Sequence, residues 1–197
     1  MNTGGFMTGS IPMHPNQHNL FNIPIWGYVL QDQHYQVIDY LDYILKMKET
    51  TESASKSNFG GWHSPCNLYE HNIFKEFTST VLNIVKDITK PYARSNEFEF
   101  LEMWAMVNTK YNYNAHHVHE GIISGVFYLQ VPEDSGRLIL SNPAVRSQNH
   151  PIRNKDYPIQ PERLALILFP SWLEHYVEPC KSDQQRVAIS FNIGEKR

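Results

Sequence analysis

The chain has 197 residues, enough for one domain with a sizeable core, and its 41% hydrophobic and 13% aromatic content is that of a globular protein. A formal net charge of -3 removes the electrostatic case for nucleic acid or an anionic membrane, so small-molecule partners are expected. The two cysteines, Cys66 and Cys180, stand far apart and outside any C-x-x-C pair, which sets aside a disulfide framework.

Taken in order, residues 1–17 are rich in Gly, Pro, Asn and Thr and are expected to form a flexible lead-in, leaving 18–197 as a single domain. The start lacks the basic residues and apolar run of a secretory leader, and no long apolar stretch reads as a membrane span, so the expected location is the cytoplasm. Residues 20–30 are apolar and β-prone, but Pro24 lacks the donor a central strand needs, which predicts an edge strand. Over 32–48, Val37, Leu41, Ile44 and Leu45 recur three and four apart and predict a helix. The stretch S-N-F-G-G-W-H-S, 57–64, reads as a loop, either a turn anchored by a buried Trp62 or one wall of a pocket.

Helical spacing returns over 70–88 with Phe74, Phe77, Val81, Leu82, Val85 and Ile88, and Pro91 stops it. From Glu97 the pattern turns to strands: 97–108, 121–131, 137–140, 164–169, 174–177 and 186–193. Between them, 141–161 carries four prolines and is expected to be a loop acting as a lid. Two helices followed by short strands predict an α+β fold in which two N-terminal helices pack on one sheet of a double-stranded β-helix, or jelly roll.

The chemistry concentrates at N-A-H-H-V-H-E-G, 114–121. Strand side chains alternate with period two, so His117 and His119 project to one side and Val118 to the other. Two imidazoles aimed at one point suggest a metal, and His175 in F-P-S-W-L-E-H is a third candidate ligand. No acid stands two residues after any histidine of the cluster, and Glu120, adjacent to His119, belongs to the opposite face. Imidazoles also bind zinc, copper or nickel, so the ligand set does not select iron. His116 is left exposed or behind the ligands, taking the place of His119 only if the strand bulges. Arg186 lies in an apolar strand, where a guanidinium needs an anion: a bound carboxylate, or one of the chain's own acids such as Asp183 or Glu178.

The ordered set H-V-H (117–119), S-G-V-F-Y-L-Q-V-P (124–132), L-F-P-S-W-L-E-H (168–175) and R-V-A-I-S-F-N (186–192) resembles the Fe(II)- and 2-oxoglutarate-dependent oxygenases, on the prolyl-4-hydroxylase-like side. With S-N-F-G-G-W (57–62) it is most similar to a little-characterised oxygenase group. The resemblance implies a jelly roll holding Fe(II), with 2-oxoglutarate and O2 as cosubstrates. It implies hydroxylation of an unactivated C–H bond, with release of succinate and CO2. Residue by residue, His117 takes the first histidine, His119 the usual carboxylate position, His175 the distal histidine and Arg186 the base that pairs with the far carboxylate of 2-oxoglutarate. Tyr128 falls where relatives place a phenol beside that carboxylate, or is a core tyrosine. Asn108 either donates to the cosubstrate or ends its strand. Relatives also place a serine two residues after the arginine, where this chain has Ala188; Ser190 and Asn192 share the face of Arg186.

Two other functions stay open at this point. A three-histidine dioxygenase would bind its organic substrate directly on iron without 2-oxoglutarate. A non-catalytic metal-binding jelly-roll module would carry a structural metal, although such sites are normally closed by four protein ligands. The substrate is unassigned, and a homodimer is left open.

Overall fold

The computed structural model describes residues 22–31, 36–92, 95–144 and 156–196; the expected flexible lead-in 1–17 and the middle of the expected lid, 145–155, lie outside them. The elements are β1 (Trp26–Val29), α1 (Gln36–Thr50), β2 (Asn58–Phe59), β3 (Trp62–His63), α2 (Lys75–Thr89), β4 (Phe98–Asn108), β5 (Tyr113–His117), β6 (Ile123–Gln130), β7 (Leu138–Leu140), β8 (Tyr157–Ile159), β9 (Ala165–Pro170), β10 (His175–Val177) and β11 (Arg186–Glu195). Two 3-10 turns, Leu68–Glu70 and Asn72–Phe74, lead into α2. Among the described residues, no helix is long and apolar enough to cross a membrane.

The strands form two sheets, one ordered β1-β9-β6-β11-β4-β3 and the other β2-β5-β10-β7-β8. Paired strands run antiparallel throughout. β1 is an edge strand, and Pro24 lies just before it, where its missing donor breaks no ladder.

Alternation along the long central strands divides the interior in two. Met103, Ala105 and Val107 of β4, with Val187, Ile189 and Phe191 of β11, join Val37, Tyr40 and Ile44 of α1 and Phe77, Val81 and Val85 of α2 in one apolar core. Positions of opposite parity, Val126 and Tyr128 of β6 and Ala188 of β11, turn to the other side and pack with Leu138 and Leu140 of the smaller sheet. Phe77 stacks on Phe127 at 5.0 Å and meets Phe191 edge-on at 6.1 Å, so α2 is keyed to the sheet by aromatic contacts. The helices thus fix one face of β4, β6 and β11, and the opposite face is free to carry chemistry.

The loop expected over 57–64 is a tight reversal between β2 and β3, with Gly60 and Gly61 both at φ 68°. Its Trp62 is buried in the helix-side core and donates its ring N–H to the Thr51 carbonyl at 3.0 Å, while His63 faces a cavity, so the stretch is both anchor and wall. A Cβ at Gly61 would strike the Asn108 side chain and come within 3.0 Å of the Val107 carbonyl, at a backbone angle L-residues rarely adopt. Gly61→Ala is expected to cost about 1–2 kcal/mol, read as a lowered Tm. An unchanged Tm would show that the reversal is not held against β4.

Candidate metal centre

His117 ends β5 and His175 begins β10, and the two are direct cross-strand partners in the smaller sheet. His119 follows two residues past the strand, held there by its backbone N–H bonding to the Ser171 carbonyl at 3.0 Å. One ligand atom from each of His117, His119 and His175 lies within 4.8 Å of the others. Val118 between them is 56% exposed, so the alternation runs past the last hydrogen-bonded residue. Pairing is shifted within β5, where Asn114 and His117 face Val177 and His175. The bulge leaves His116 outside, exposed, stacked on Tyr176 at 4.1 Å and 3.5 Å from the Glu174 carboxylate. Glu120 is exposed, and among the described residues no acid joins the three histidines.

The imidazoles are set up as ligands. His117 Nδ1 lies 2.6 Å from the Ala115 carbonyl and His175 Nδ1 lies 2.9 Å from the Leu173 carbonyl. A carbonyl only accepts, so each Nδ1 carries the proton and each Nε2 keeps its lone pair. Burial lowers the pKa of all three rings, to about 4 for His119 and to about 3 for His175, and the neighbouring His117 charge acts in the same direction on both. At neutral pH the cluster therefore offers neutral nitrogen donors and needs no deprotonation to take a divalent cation.

The same shifts set an acid limit on the metal-free protein. Below about pH 6.5, the unfolded histidines take up protons that the folded ones refuse, so stability falls with pH toward the folded values near 4 and 3. The Tm of metal-free protein is expected to drop between pH 7.5 and 5, with a shallower slope in His175→Gln. A flat profile in the wild type would contradict the burial of these rings as neutral groups.

The histidines share a cavity with Tyr128, Arg186, Ser190, Leu138 and Phe169, about 530 Å³ of empty space including its mouth. Arg186 is only 3% exposed and its Nε has no hydrogen-bond partner among the described residues. The acids that sequence offered it are engaged elsewhere: Glu178 takes two 2.7 Å hydrogen bonds from Arg137, and Asp183 lies 3.4 Å from Lys110. Tyr128 is fully buried, its hydroxyl makes no well-formed hydrogen bond among the described residues, and the Arg186 guanidinium lies beside it, 5.1 Å from the ring centroid. Burial pushes the phenol up while the Arg186 charge pulls it down. Asn108, the register partner of Arg186, is buried with both amide atoms unpartnered; it sits under Gly61 and does not line the cavity.

A polar chain not visible in the sequence supports His119. Ser171, whose carbonyl holds the His119 N–H, has its hydroxyl 3.0 Å from that of Ser124; Ser124 donates to Asn192 Oδ1 at 2.8 Å, and Asn192 Nδ2 donates to Glu102 at 3.2 Å. With its single proton given to Asn192, Ser124 must accept from Ser171. Asn192 thus serves the histidine cluster through this chain rather than by lining the cavity.

A buried cation and three neutral imidazoles around one cavity make a place for a metal together with an anionic chelator. Residues 102–192 match the protein family described as "Putative 2OG-Fe(II) oxygenase". No curated protein sequence matches the chain. The fold is similar to that of a Pseudomonas putida prolyl-4-hydroxylase, with TM-score 0.68, 12% identity, and coverage of 89% of this chain and 94% of that one. It is likewise similar to a viral collagen prolyl hydroxylase from Paramecium Bursaria Chlorella virus-1, in its 2-oxoglutarate complex, with TM-score 0.61, 13% identity, and coverage of 86% and 94%. HygX from Streptomyces hygroscopicus, with nickel and 2-oxoglutarate bound, aligns with TM-score 0.62, 14% identity, and coverage of 88% and 84%.

Proposed function

We propose that this chain is a 2-oxoglutarate- and Fe(II)-dependent oxygenase that hydroxylates an unactivated C–H bond of its substrate, a reading supported by the family match over residues 102–192. Its two antiparallel sheets are then a double-stranded β-helix braced by α1 and α2, its iron ligands are His117, His119 and His175, and Arg186 grips the far carboxylate of 2-oxoglutarate. Bound iron would supply the oxygen chemistry, in which 2-oxoglutarate becomes succinate and CO2 and the substrate gains one oxygen atom.

The observation that carries this reading is Arg186: a cation 3% exposed, without an acid partner among the described residues, in the cavity that holds the three histidines. A buried unpaired charge costs several kcal/mol, about what a bidentate carboxylate offsets. Tyr128 offers its hydroxyl to the same carboxylate, and Ser190 lines the cavity from the strand of Arg186. The three imidazoles are neutral, so a divalent metal and the dianion of 2-oxoglutarate would cancel in charge. The neighbours described with 2-oxoglutarate bound, one of them with nickel as well, support the reading through shared fold. Free thiols at Cys66 and Cys180 suit the reducing cytoplasm proposed for it.

The test is anaerobic titration of Fe(II)-loaded protein with 2-oxoglutarate, following the visible charge-transfer band of a chelated keto acid. A band in the wild type that weakens in Arg186→Ala supports the assignment. Bound iron without a band would favour a three-histidine dioxygenase that takes its organic substrate directly on the metal.

A further inference from the structure

A second cavity adjoins the first. The two share Ser57, Trp104, His117 and His119 as a common wall, but the second contains neither Arg186 nor Tyr128 and is lined instead by Lys56, His63, Cys66 and Glu102. It has about 600 Å³ of empty space including its mouth. If 2-oxoglutarate takes the side of the metal that faces Arg186, this cavity is a second lined approach to His117 and His119.

The lining is specific. His63 is 3% exposed, and its Nδ1 lies 2.6 Å from the Ser64 carbonyl, so Nδ1 carries the proton and Nε2 is an acceptor with no hydrogen-bond partner among the described residues. Its ring is stacked on Trp104 at 5.5 Å and an angle of 7°, and Trp104 in turn lies 5.5 Å from His119, so it is fixed relative to the metal ligands. Burial lowers the His63 pKa, which keeps that acceptor available at neutral pH. Glu102 gives one oxygen to Asn192 and forms no ion pair among the described residues. Lys56 likewise forms none, and both charges, opposite in sign, act on His63 and Cys66. An acid and a base that face the same buried ring without pairing with each other fit a ligand carrying both complementary charges.

We infer that this cavity admits the substrate and that the substrate is a small zwitterion of the α-amino-acid type, its ammonium held between Glu102 and His63 Nε2 and its carboxylate by Lys56. The inference rests on the 2-oxoglutarate reading above. The amino acid's side chain is then directed past Trp104 toward His117 and His119, where a C–H bond is presented for oxidation. A residue inside a polypeptide cannot present this pair of charges, because its α-amino and α-carboxyl groups are consumed in peptide bonds.

Calorimetric titration of the Zn(II)-loaded full chain, with and without saturating 2-oxoglutarate, tests this against the standard free amino acids. Each one that binds is compared with its decarboxylated amine and its N-acetyl derivative. At least one amino acid is expected to bind, and to weaken about tenfold on losing either charge. Lys56→Gln should bring the amino acid and its amine to similar affinities, and Glu102→Gln should do the same for the amino acid and its N-acetyl form. These ratios would not respond to a merely structural defect. Absence of amino-acid binding, or ratios near one in the wild type, or ratios untouched by the substitutions, would overturn the inference. Failure of 2-oxoglutarate to bind is a separate titration and counts against the proposed function alone.

Discussion

His175→Ala is expected to lower Fe(II) affinity by more than about 100-fold and to abolish 2-oxoglutarate-dependent turnover, because losing a residue that merely orients a metal ligand already costs about 10–100-fold. His175 is the most deeply placed of the three, 5% exposed and pinned between β5 and β7, with its lone pair fixed by the Leu173 carbonyl. Alanine there removes one nitrogen donor and leaves His117 and His119 without the third face of the site. His116→Ala is the matched control: its ring is outside the bulge, against Tyr176 and Glu174, and metal affinity should stay within about twofold, as for an exposed residue. Far-UV circular dichroism separates lost folding from lost metal, and His117→Ala repeats the test at a less buried ligand. Stoichiometric iron in His175→Ala, with native spectra, would remove this histidine from the site.

What the sequence made legible was the part governed by short range. The H-V-H step could be read because side-chain alternation is a property of the backbone itself, and the helix stripes of α1 and α2 because 3.6-residue spacing is local. Placing His175 beside His117 required the pairing of β10 with β5 across nearly sixty residues, which no local signal encodes; there the resemblance to known oxygenases did the work. β5 itself, Tyr-Asn-Ala-His-His, has no apolar alternation, since its ladder is supplied by neighbours on both sides rather than by its own burial. β8 was read as loop because it is three residues with Pro158 in the middle, and it is tolerated because it lies at the edge of its sheet. The Ser171-Ser124-Asn192-Glu102 chain and the facing charges of Lys56 and Glu102 are products of tertiary packing, so nothing in their spacing announced them. The freedom of Arg186 was equally hidden. Only the structure shows that Glu178 and Asp183 are already taken.

That freedom makes Arg186→Met the most informative single substitution. In the wild type, a guanidinium 3% exposed and without a counter-charge among the described residues is a stability defect that a bound dicarboxylate would relieve. Methionine matches the aliphatic stem of arginine as far as Nε and brings no charge to bury, though it gives up the guanidinium contact with the Tyr128 ring. Two opposite outcomes are therefore expected from one change. Without 2-oxoglutarate the variant should melt higher than the wild type, by the equivalent of about 1–4 kcal/mol. With 2-oxoglutarate the order should reverse: millimolar cosubstrate raises the wild-type Tm through linkage, while the variant gains little, its affinity lowered by about 2–5 kcal/mol. Tyr128→Phe should fall between them, weakening 2-oxoglutarate by about 1–2 kcal/mol through the lost hydroxyl, with a smaller effect on the free protein because that hydroxyl makes no well-formed hydrogen bond among the described residues. A lower Tm for ligand-free Arg186→Met would mean that the guanidinium is satisfied within the fold, and a retained 2-oxoglutarate response would mean that another group holds the carboxylate. A site kept at the expense of stability has the crossed signature, and a residue that merely packs does not.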